Sequence, residues 1–245
     1  MAEKNPQTDS GEGPTPGSGK AAGGLLLVDK PAGITSHDVV LRVRQIYGER
    51  SIGHLGTLDP FATGLLVLLI GRATRLANFL DTEPKVYEAT IAFGAETDTD
   101  DETGVVTRTA AAPGEAQIRA GIPSLTGSFP QVPPAYSAKS VDGVRAYDAA
   151  RRGEPLELAP VTVTVHRWDT VRIDGSVMRA AITCSGGTYI RSLARDLGRA
   201  TASAAHLTAL RRISVGEFDV KDAFSLDQLA TERPSLTSLR IVADA

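Results

Sequence analysis

The feature that most constrains this chain is a polar loop that runs directly into an apolar strand. Residues 53–60 carry a histidine, a threonine and one carboxylate, Asp59, followed by a proline. Residues 65–70 form an uninterrupted aliphatic run bounded by glycines. Such a run is typical of a strand that is buried on both faces. The pattern therefore predicts an acid held at the mouth of a rigid central strand, although an ordinary turn before a core strand fits the local pattern equally well.

Composition limits the class of protein. The chain has 245 residues, of which 42% are hydrophobic and 22% are charged, as in ordinary globular proteins. Its single cysteine, Cys184, excludes an internal disulfide and indicates a reducing cytoplasm. Four scattered histidines and one cysteine lack the spacing of a zinc site. The longest aliphatic run is far too short to span a bilayer, so we expect a cytoplasmic protein with neither a metal nor a membrane partner.

The charge is unevenly distributed along the chain. The formal net charge is −3, yet residues 139–215 contain twelve Lys and Arg residues against seven Asp and Glu residues. An acidic body with one arginine-rich segment is what a local phosphate-binding face requires. This distribution predicts a nucleic-acid contact surface within that segment.

Hydrophobic periodicity predicts an α+β fold. Thr35 and Asp38 form a capping box for a helix that follows a first strand at residues 24–31. Residues 85–93 alternate as a strand and place Tyr87 on the core side. The acidic stretch 98–104 is interpreted as a solvated turn between two strands. The other predicted elements are helices at 73–80 and 117–125, strands at 161–168 and 177–184, and a final strand at 213–218.

A row of arginines follows the glycine-rich bend at residues 185–189. Arg191, Arg195 and Arg199 recur at every fourth position of a predicted helix and therefore share one face. A solvated row is the simplest interpretation. However, the helix dipole disfavours a cation at the start of a helix unless an anion lies nearby. We therefore predict a buried partner for Arg191, and Asp59 is the candidate.

Three motifs together resemble the TruB family of tRNA pseudouridine synthases. They are Gly-His-x-Gly-Thr-Leu-Asp-Pro-x-Ala-Thr-Gly-Leu-Leu from Gly53, Lys-x-Tyr-x-Ala from Lys85, and Gly-Thr-Tyr-Ile-Arg from Gly187. The resemblance covers residues 24–229 as one catalytic domain. It implies the pseudouridine synthase fold, in which helices flank a central twisted, mixed and largely antiparallel sheet. It also implies an RNA-gripping insertion near residues 131–156.

The resemblance assigns roles to individual residues. Asp59 is implied as the catalytic acid, Arg191 as its charge partner, and Tyr87 as the group that stacks on the target base and transfers a proton. The residues implied in substrate or RNA binding are His54 (which fills the space left by the flipped base), Lys30 (which supports the catalytic loop), Leu210 (in the uracil pocket), Tyr189, Lys139 and Arg145. Lys139 lies one position earlier than in the family pattern, so its role stays open.

The implied activity is isomerisation of the uridine at position 55, in the T-loop of tRNA, to pseudouridine. That reaction needs no cofactor, and we expect a monomer that binds the T-arm without a protein partner. Attack of Asp59 on C6, attack on C1′ and removal of the C2′ proton all stay open. Alternative functions are a glycosidase-like hydrolase, which normally needs two carboxylates, a non-catalytic tRNA-folding chaperone, and a synthase that acts on another RNA.

Both ends of the chain are expected to lie outside this domain. Residues 1–23 consist of Gly, Pro, Ser, Thr and charged residues and are predicted to be a disordered tail. Residues 230–245 are predicted to be a C-terminal extension that is too short for a complete PUA-type RNA-binding domain.

Overall fold

The structure is a computed structural model and describes residues 23–237. The predicted tail therefore lies almost entirely outside the described residues, as does the second half of the predicted C-terminal extension. Among the described residues, no helix is both long and apolar enough to cross a bilayer.

The described residues contain thirteen strands and five α-helices. The strands are β1 (Gly24–Lys30), β2 (Ile52–Leu55), β3 (Thr63–Ile70), β4 (Lys85–Phe93), β5 (Ala95–Thr97), β6 (Val106–Thr109), β7 (Gly127–Gln131), β8 (Ser140–Val141), β9 (Val144–Arg145), β10 (Val161–Asp174), β11 (Val177–Cys184), β12 (Ala205–Val215) and β13 (Phe218–Asp219). The helices are α1 (Ser36–Tyr47), α2 (Glu115–Gly121), α3 (Ala146–Arg151), α4 (Ile190–Ala200) and α5 (Leu226–Glu232). Short 3₁₀ helices cover Gly71–Phe79, Ile122–Leu125 and Val220–Asp222.

One nine-stranded sheet organises the fold. Its order is β1-β3-β12-β4-β11-β10-β7, with β2 paired to β3 and β13 paired to β12. The β3–β12 pair is parallel, and the other pairs in this sheet are antiparallel. The sheet is therefore mixed and largely antiparallel, which confirms the predicted fold class.

Strand β3 is buried on both faces, as its aliphatic run predicts. Alternate side chains of β3 enter two different cores because successive residues of a strand point to opposite faces. Leu66 and Leu68 pack in a cluster with α1 and α5, whereas Leu65 and Val67 pack against the segment that includes Val215. A third and larger core lies between β4, β11 and α4. Strand β3 is thus fixed from both sides, and the loop that precedes it has a rigid base.

The contact between β3 and β12 requires glycine at position 64. Gly64 has φ of +101° and lies opposite Arg212 in the parallel register. A Cβ at this position would lie 2.2 Å from the carbonyl oxygen of Arg212. Only glycine lets the two backbones approach this closely.

Two sequence-based interpretations are wrong in detail. The acidic stretch 98–104 does join two strands, β5 and β6, but only part of it is solvated: Asp98 and Glu102 are exposed, whereas Asp100 and Asp101 are only 6% and 4% exposed. They are buried because α4 packs its arginines against them. The last long strand is β12, which begins at Ala205 rather than at residue 213, because it pairs with the whole length of β4.

The predicted RNA-gripping insertion at 131–156 forms a small substructure. A short hairpin, β8–β9, turns at Asp142 and Gly143, which both have positive φ, and leads into α3. Three buried alanines anchor α3: Ala146, Ala149 and Ala150. The hairpin tip is exposed, whereas the segment before it lies against α4.

Candidate active site

The loop that carries Asp59 is anchored to β1 and α1. Lys30, at the end of β1, is fully buried and donates hydrogen bonds from Nζ to the carbonyl oxygens of Pro31, Ile34 and Pro60. Ser36 Oγ accepts a 2.9 Å hydrogen bond from the backbone N–H of Leu58. Burial lowers the pKa of Lys30 to about 8, and the Asp59 charge opposes this shift. The backbone on both sides of Asp59 is therefore held in place.

Asp59 and Arg191 form a bidentate ion pair. Arg191 Nε donates to Asp59 Oδ2 and Nη2 donates to Asp59 Oδ1, both at 2.9 Å. The Arg191 side chain is 4% exposed, whereas that of Asp59 is 32% exposed. A two-point guanidinium–carboxylate contact fixes the plane of the carboxylate as well as its position. Asp59 is thus oriented from the protein side and open on its other side.

Arg191 is itself held by main-chain carbonyls and a second carboxylate. Its Nη1 donates to the Thr99 carbonyl at 2.8 Å, and its Nη2 donates to the Tyr136 carbonyl at 2.9 Å. Asp101 Oδ2 lies 3.6 Å from Nη1. All the groups around the guanidinium are acceptors, so the arginine has one well-defined orientation.

The other arginines of the α4 row also pair with acids near the β5–β6 turn. Arg195 Nη1 lies 2.8 Å from Asp100 Oδ2, and Arg199 Nη2 lies 2.8 Å from Glu96 Oε2. Burial raises the pKa of Asp100 to about 6, although the Arg195 charge opposes that shift. The arginine row therefore joins α4 to the acidic turn: Arg191 and Arg195 are buried, and Arg199, although its side chain is exposed, is already paired with Glu96.

A cavity of about 320 Å³ opens beside Asp59. It is bounded by the Asp59 loop, by β4 and β12, by the segment before β8, and by the bend before α4. The lining residues are Gly56, Thr57, Leu58, Asp59, Lys85, Tyr87, Tyr136, Ser137, Ala138, Gly187, Thr188, Tyr189, Ile190, Arg191, Leu210 and Arg212. This wall combines apolar and aromatic surface with a few polar groups, as small-molecule sites usually do.

Tyr87 and Leu210 contribute apolar surface to the cavity wall from the adjacent strands β4 and β12. Both are buried, with 8% and 7% exposure. Burial raises the pKa of the Tyr87 hydroxyl, and the nearby Arg212 guanidinium opposes this shift. Tyr87 thus supplies the wall with an aromatic ring and a hydroxyl that stays protonated at neutral pH.

Two family models match this chain in succession. The first, described as TruB family pseudouridylate synthase (N terminal domain), matches residues 44–190. The second, described as tRNA pseudouridylate synthase B C-terminal domain, matches residues 191–237. The chain belongs to the TruB family. The resemblance seen in the three sequence motifs is thereby confirmed.

Bacterial members of the TruB family are similar over most of the chain. A protein named tRNA pseudouridine synthase B from Thermobifida fusca (strain YX) is 50% identical over 234 residues, which cover 91% of this chain and 80% of that protein. A protein of the same name from Arthrobacter sp. (strain FB24) is 51% identical over 217 residues, covering 85% of this chain and 71% of that protein.

Solved structures show the same fold. A Cbf5–Nop10–Gar1 complex contains a chain that is 27% identical, with a TM-score of 0.66. An H/ACA RNP bound to a substrate RNA containing 2′-deoxyuridine contains one that is 26% identical, with a TM-score of 0.63. Each match covers 84% of this chain and about half of the other chain, 53% and 52% respectively.

The structure brings five of the nine residues predicted for the site to the cavity. These residues are Asp59, Tyr87, Tyr189, Arg191 and Leu210. Lys30 lies beneath the loop instead of lining the cavity. Lys139 and Arg145 are exposed at the β8–β9 hairpin.

His54 lies in β2 and does not line the cavity. Burial lowers the pKa of His54, and the Arg212 charge acts in the same direction. Its Nδ1 atom is buried and has no hydrogen-bond partner among the described residues. A neutral imidazole is therefore favoured at this position.

The predicted site residues did not include several polar residues of this region, among them Lys85, Ser137 and Arg212, which line the cavity, and Asp101, which contacts Arg191. Asp101 had a usable signal, because several acids within residues 98–102 complement a row of three arginines. The sequence held no signal for Arg212. Arg211 and Arg212 are adjacent, and only the register of β12 decides that Arg212 is the buried one.

Proposed function

We propose that this chain converts the uridine at position 55, in the T-loop of tRNA, to pseudouridine, with Asp59 as the reacting acid. The observation that carries the proposal is the bidentate Asp59–Arg191 pair at the edge of the cavity that Tyr87 and Leu210 line. Membership of the TruB family and the similarity to bacterial proteins named tRNA pseudouridine synthase B support the choice of tRNA.

The reaction needs a flipped nucleotide. The N1–C1′ bond must break, the uracil must rotate, and C5 must join C1′, and none of these atoms is accessible while the base is stacked. The cavity beside Asp59 has room for a small planar group, and Tyr87 supplies a stacking surface. Asp59 reacts as the carboxylate, because either attack on carbon or removal of a sugar proton requires the ionised form.

Arg191 is proposed to act by orienting Asp59 and by compensating its charge. A carboxylate moved out of water without a partner would tend to take up a proton. The buried guanidinium counters that tendency and also fixes which oxygen faces the substrate. Tyr87 is proposed to stack on the ring and to assist removal of the C5 proton after C5 has joined C1′.

The remaining predicted residues are proposed to bind RNA or to support the site. Lys139 and Arg145 are exposed on the β8–β9 hairpin, where their charges can reach phosphates. Lys30 supports the loop through the Pro60 carbonyl, and His54 fills the space left by the flipped base. Tyr189 contributes to the wall on the α4 side. We also propose that the chain acts as a cytoplasmic monomer without a protein partner, for which light scattering at working concentration is the direct test.

The two competing functions leave different marks on the cavity. A glycosidase-like hydrolase needs a second carboxylate across the bond, and Asp59 is the one carboxylate among the described residues that line the cavity. An RNA-folding chaperone has no use for a carboxylate beside a nucleotide pocket, because it repels phosphate. Both features favour the isomerase.

The test uses T-arm RNA with tritium at C5 of the target uracil. We expect the wild type to release tritium to water, and Asp59→Asn to bind the RNA with similar affinity but release none. Asp227→Asn, which changes an exposed aspartate of α5, is the control and should behave as wild type. Binding without release by the wild type would favour the chaperone. Free uracil among the products would favour the hydrolase.

A further inference from the structure

Arg212 is a buried cation that has no carboxylate partner. Its side chain lies in the middle of the sheet, on β12, and the residue is 1% exposed. Nε donates to the Leu65 carbonyl at 2.7 Å and Nη2 donates to the Gly56 carbonyl at 3.0 Å. Within the described residues it forms no salt bridge. Its neighbour Arg211 faces the other way and pairs with Asp29 at 2.7 Å.

The charge of Arg212 affects the titratable groups around it. Burial lowers the pKa of Lys85 and of His54, and the Arg212 charge lowers both further. Lys85 itself is buried and donates to a single main-chain carbonyl, that of Thr82. Arg212 thus adds positive charge beside a second buried cation, Lys85.

An isolated buried charge is costly, and proteins normally pair it. Here the fold makes room for the guanidinium without supplying an anion. Gly56 has φ of +87°, and a Cβ there would lie 3.3 Å from Nη1 of Arg212. The two main-chain carbonyls orient the group but do not neutralise it. Such an arrangement is expected where the compensating negative charge arrives only with the substrate.

Arg212 reaches the cavity at the wall where the base is proposed to bind. It lies opposite Tyr87 in the β4–β12 register, and both line the cavity together with Leu210. The other arginine of the cavity, Arg191, is already compensated by Asp59. Arg212 is therefore the guanidinium that is free to meet a new charge beside the Tyr87 ring.

We propose that Arg212 is a catalytic residue that stabilises the negative charge that develops on the uracil ring during isomerisation. This inference rests on the proposed function. If Asp59 attacks C1′, the electron pair of the C1′–N1 bond leaves with uracil, and a glycosyl ester remains on Asp59. If Asp59 removes the C2′ proton, the same uracil anion departs and a glycal remains. If Asp59 attacks C6, the ring electrons move to O4 as an enolate.

Negative charge therefore appears on the ring in all three routes. In each, C5 afterwards uses the electron pair of the ring to form the new bond to C1′, and Asp59 leaves as the carboxylate or, in the C2′ route, returns its proton to C2′. C5 then loses its proton to a base and N1 takes up a proton, so the product ring is neutral. A fixed, dehydrated cation placed where charge develops is an effective way to lower such a barrier. The role of Arg212 does not depend on which route Asp59 follows.

The experiment measures single-turnover tritium release and RNA affinity for wild type, Arg212→Ala and Arg212→Lys. We expect Arg212→Ala to lower the rate by about 100-fold or more with RNA affinity changed by less than about threefold, which is within 1 kcal/mol. Arg212→Lys, which keeps the charge, should retain a larger share of the rate. Arg211→Ala is the matched control and should keep the wild-type rate.

Chemical rescue separates charge from structure. Low, non-denaturing guanidinium should restore part of the Arg212→Ala rate while leaving its melting temperature unchanged, and urea, which has the same shape but no charge, should not. Rescue by both compounds, or a rate loss matched by lost RNA affinity, would overturn the inference and indicate a structural or phosphate-binding role.

A substrate with an uncharged methylphosphonate beside the target uridine gives a second arm. If Arg212 stabilises ring charge, wild type and Arg212→Ala lose affinity for this RNA equally. If only the wild type loses affinity for the methylphosphonate RNA, Arg212 binds that phosphate and the proposal is overturned. Full activity of Arg212→Ala with an active wild type would refute this inference alone. Absence of tritium release by the wild type would overturn the proposed function together with it.

Discussion

The carboxylate of Asp100 and the guanidinium of Arg195 form a buried ion pair at 2.8 Å that joins the β5–β6 turn to α4. The same turn supplies the Thr99 carbonyl that holds Arg191. The orientation of Arg191, and through it that of Asp59, therefore depends on a turn that is tied down by a second ion pair one helical turn further along α4.

The raised pKa of Asp100 gives a defined pH dependence of stability. Burial raises the pKa of Asp100 from 3.8 to about 6 in the folded protein. The folded state then binds this proton more tightly than the unfolded state, so the contribution of Asp100 to the free energy of unfolding is largest below pH 4 and declines as the pH rises through 6. We expect wild type to lose about 2 kcal/mol relative to Asp100→Asn between pH 4 and pH 7. Urea denaturation of both proteins measures the difference, and a constant difference would contradict the prediction.

Arg191→Lys should impair catalysis even though it keeps the charge. Arg191 donates four hydrogen bonds, two of them to Asp59, and an ammonium group cannot reproduce the planar two-point contact. We expect tritium release to fall by about 100-fold because a small misplacement of a reacting group has an effect of that size. Arg199→Lys, in the same arginine row but away from the cavity, is the control and should stay within about threefold of wild type. Equal losses in the two variants would show that the whole row, and not the Asp59 contact, matters.

Gly64→Ala should destabilise the protein more than an alanine substitution at a glycine that has a positive φ but free space around its Cα. A Cβ at position 64 would meet the Arg212 carbonyl at 2.2 Å, in addition to the cost of a positive φ. We expect a loss of about 3 kcal/mol in the free energy of unfolding. Gly48→Ala, at the left-handed end of α1 with no atom within 4 Å, should lose only about 1 kcal/mol. If the two variants lose the same free energy of unfolding, the close approach of β3 and β12 does not limit which residue position 64 can hold.

The β8–β9 hairpin should contribute affinity rather than rate. Lys139 and Arg145 are exposed there, so replacing both with alanine removes charge without disturbing the cavity. If each contacts one phosphate, the slope of log affinity against log salt should become less steep by about 1 to 2 units. The single-turnover rate at saturating RNA should not change. Arg119→Ala, an exposed arginine of α2 paired with Glu115, is the control. An unchanged salt slope in the double variant would remove this hairpin from the RNA interface.

Much of the fold was accessible from the sequence because the deciding signals are local. The aliphatic run of β3 and the capping box of α1 each depend on residues within one element, and both are present. The Asp59–Arg191 contact was also accessible, although 132 residues separate the partners. A cation at the start of α4 is disfavoured by the helix dipole unless an anion lies nearby. Asp59 was the candidate because it lies in the polar loop before the buried strand β3.

The sequence was uninformative where burial depends on packing between distant segments. The acidic turn at 98–104 has the composition of a solvated loop, yet Asp100 and Asp101 within it are buried because the arginines of α4 pack against them. Likewise, residues 139–215 carry excess positive charge, but Arg195 and Arg199 form ion pairs with buried carboxylates of the same protein. Net charge along a chain does not reveal which charges are already paired.

The position of β12 has a consequence for how this protein becomes active. β12 is the last long strand in chain order, yet it lies between β3 and β4 in the sheet. While a ribosome is still making residues 205–215, the edges of β3 and β4 have no neighbour between them, and open strand edges invite wrong pairing. Leu210 and Arg212, which complete the cavity wall, arrive with that same strand. A nascent chain therefore has no complete pocket before β12 enters the sheet, and closing the sheet and completing the pocket are one event.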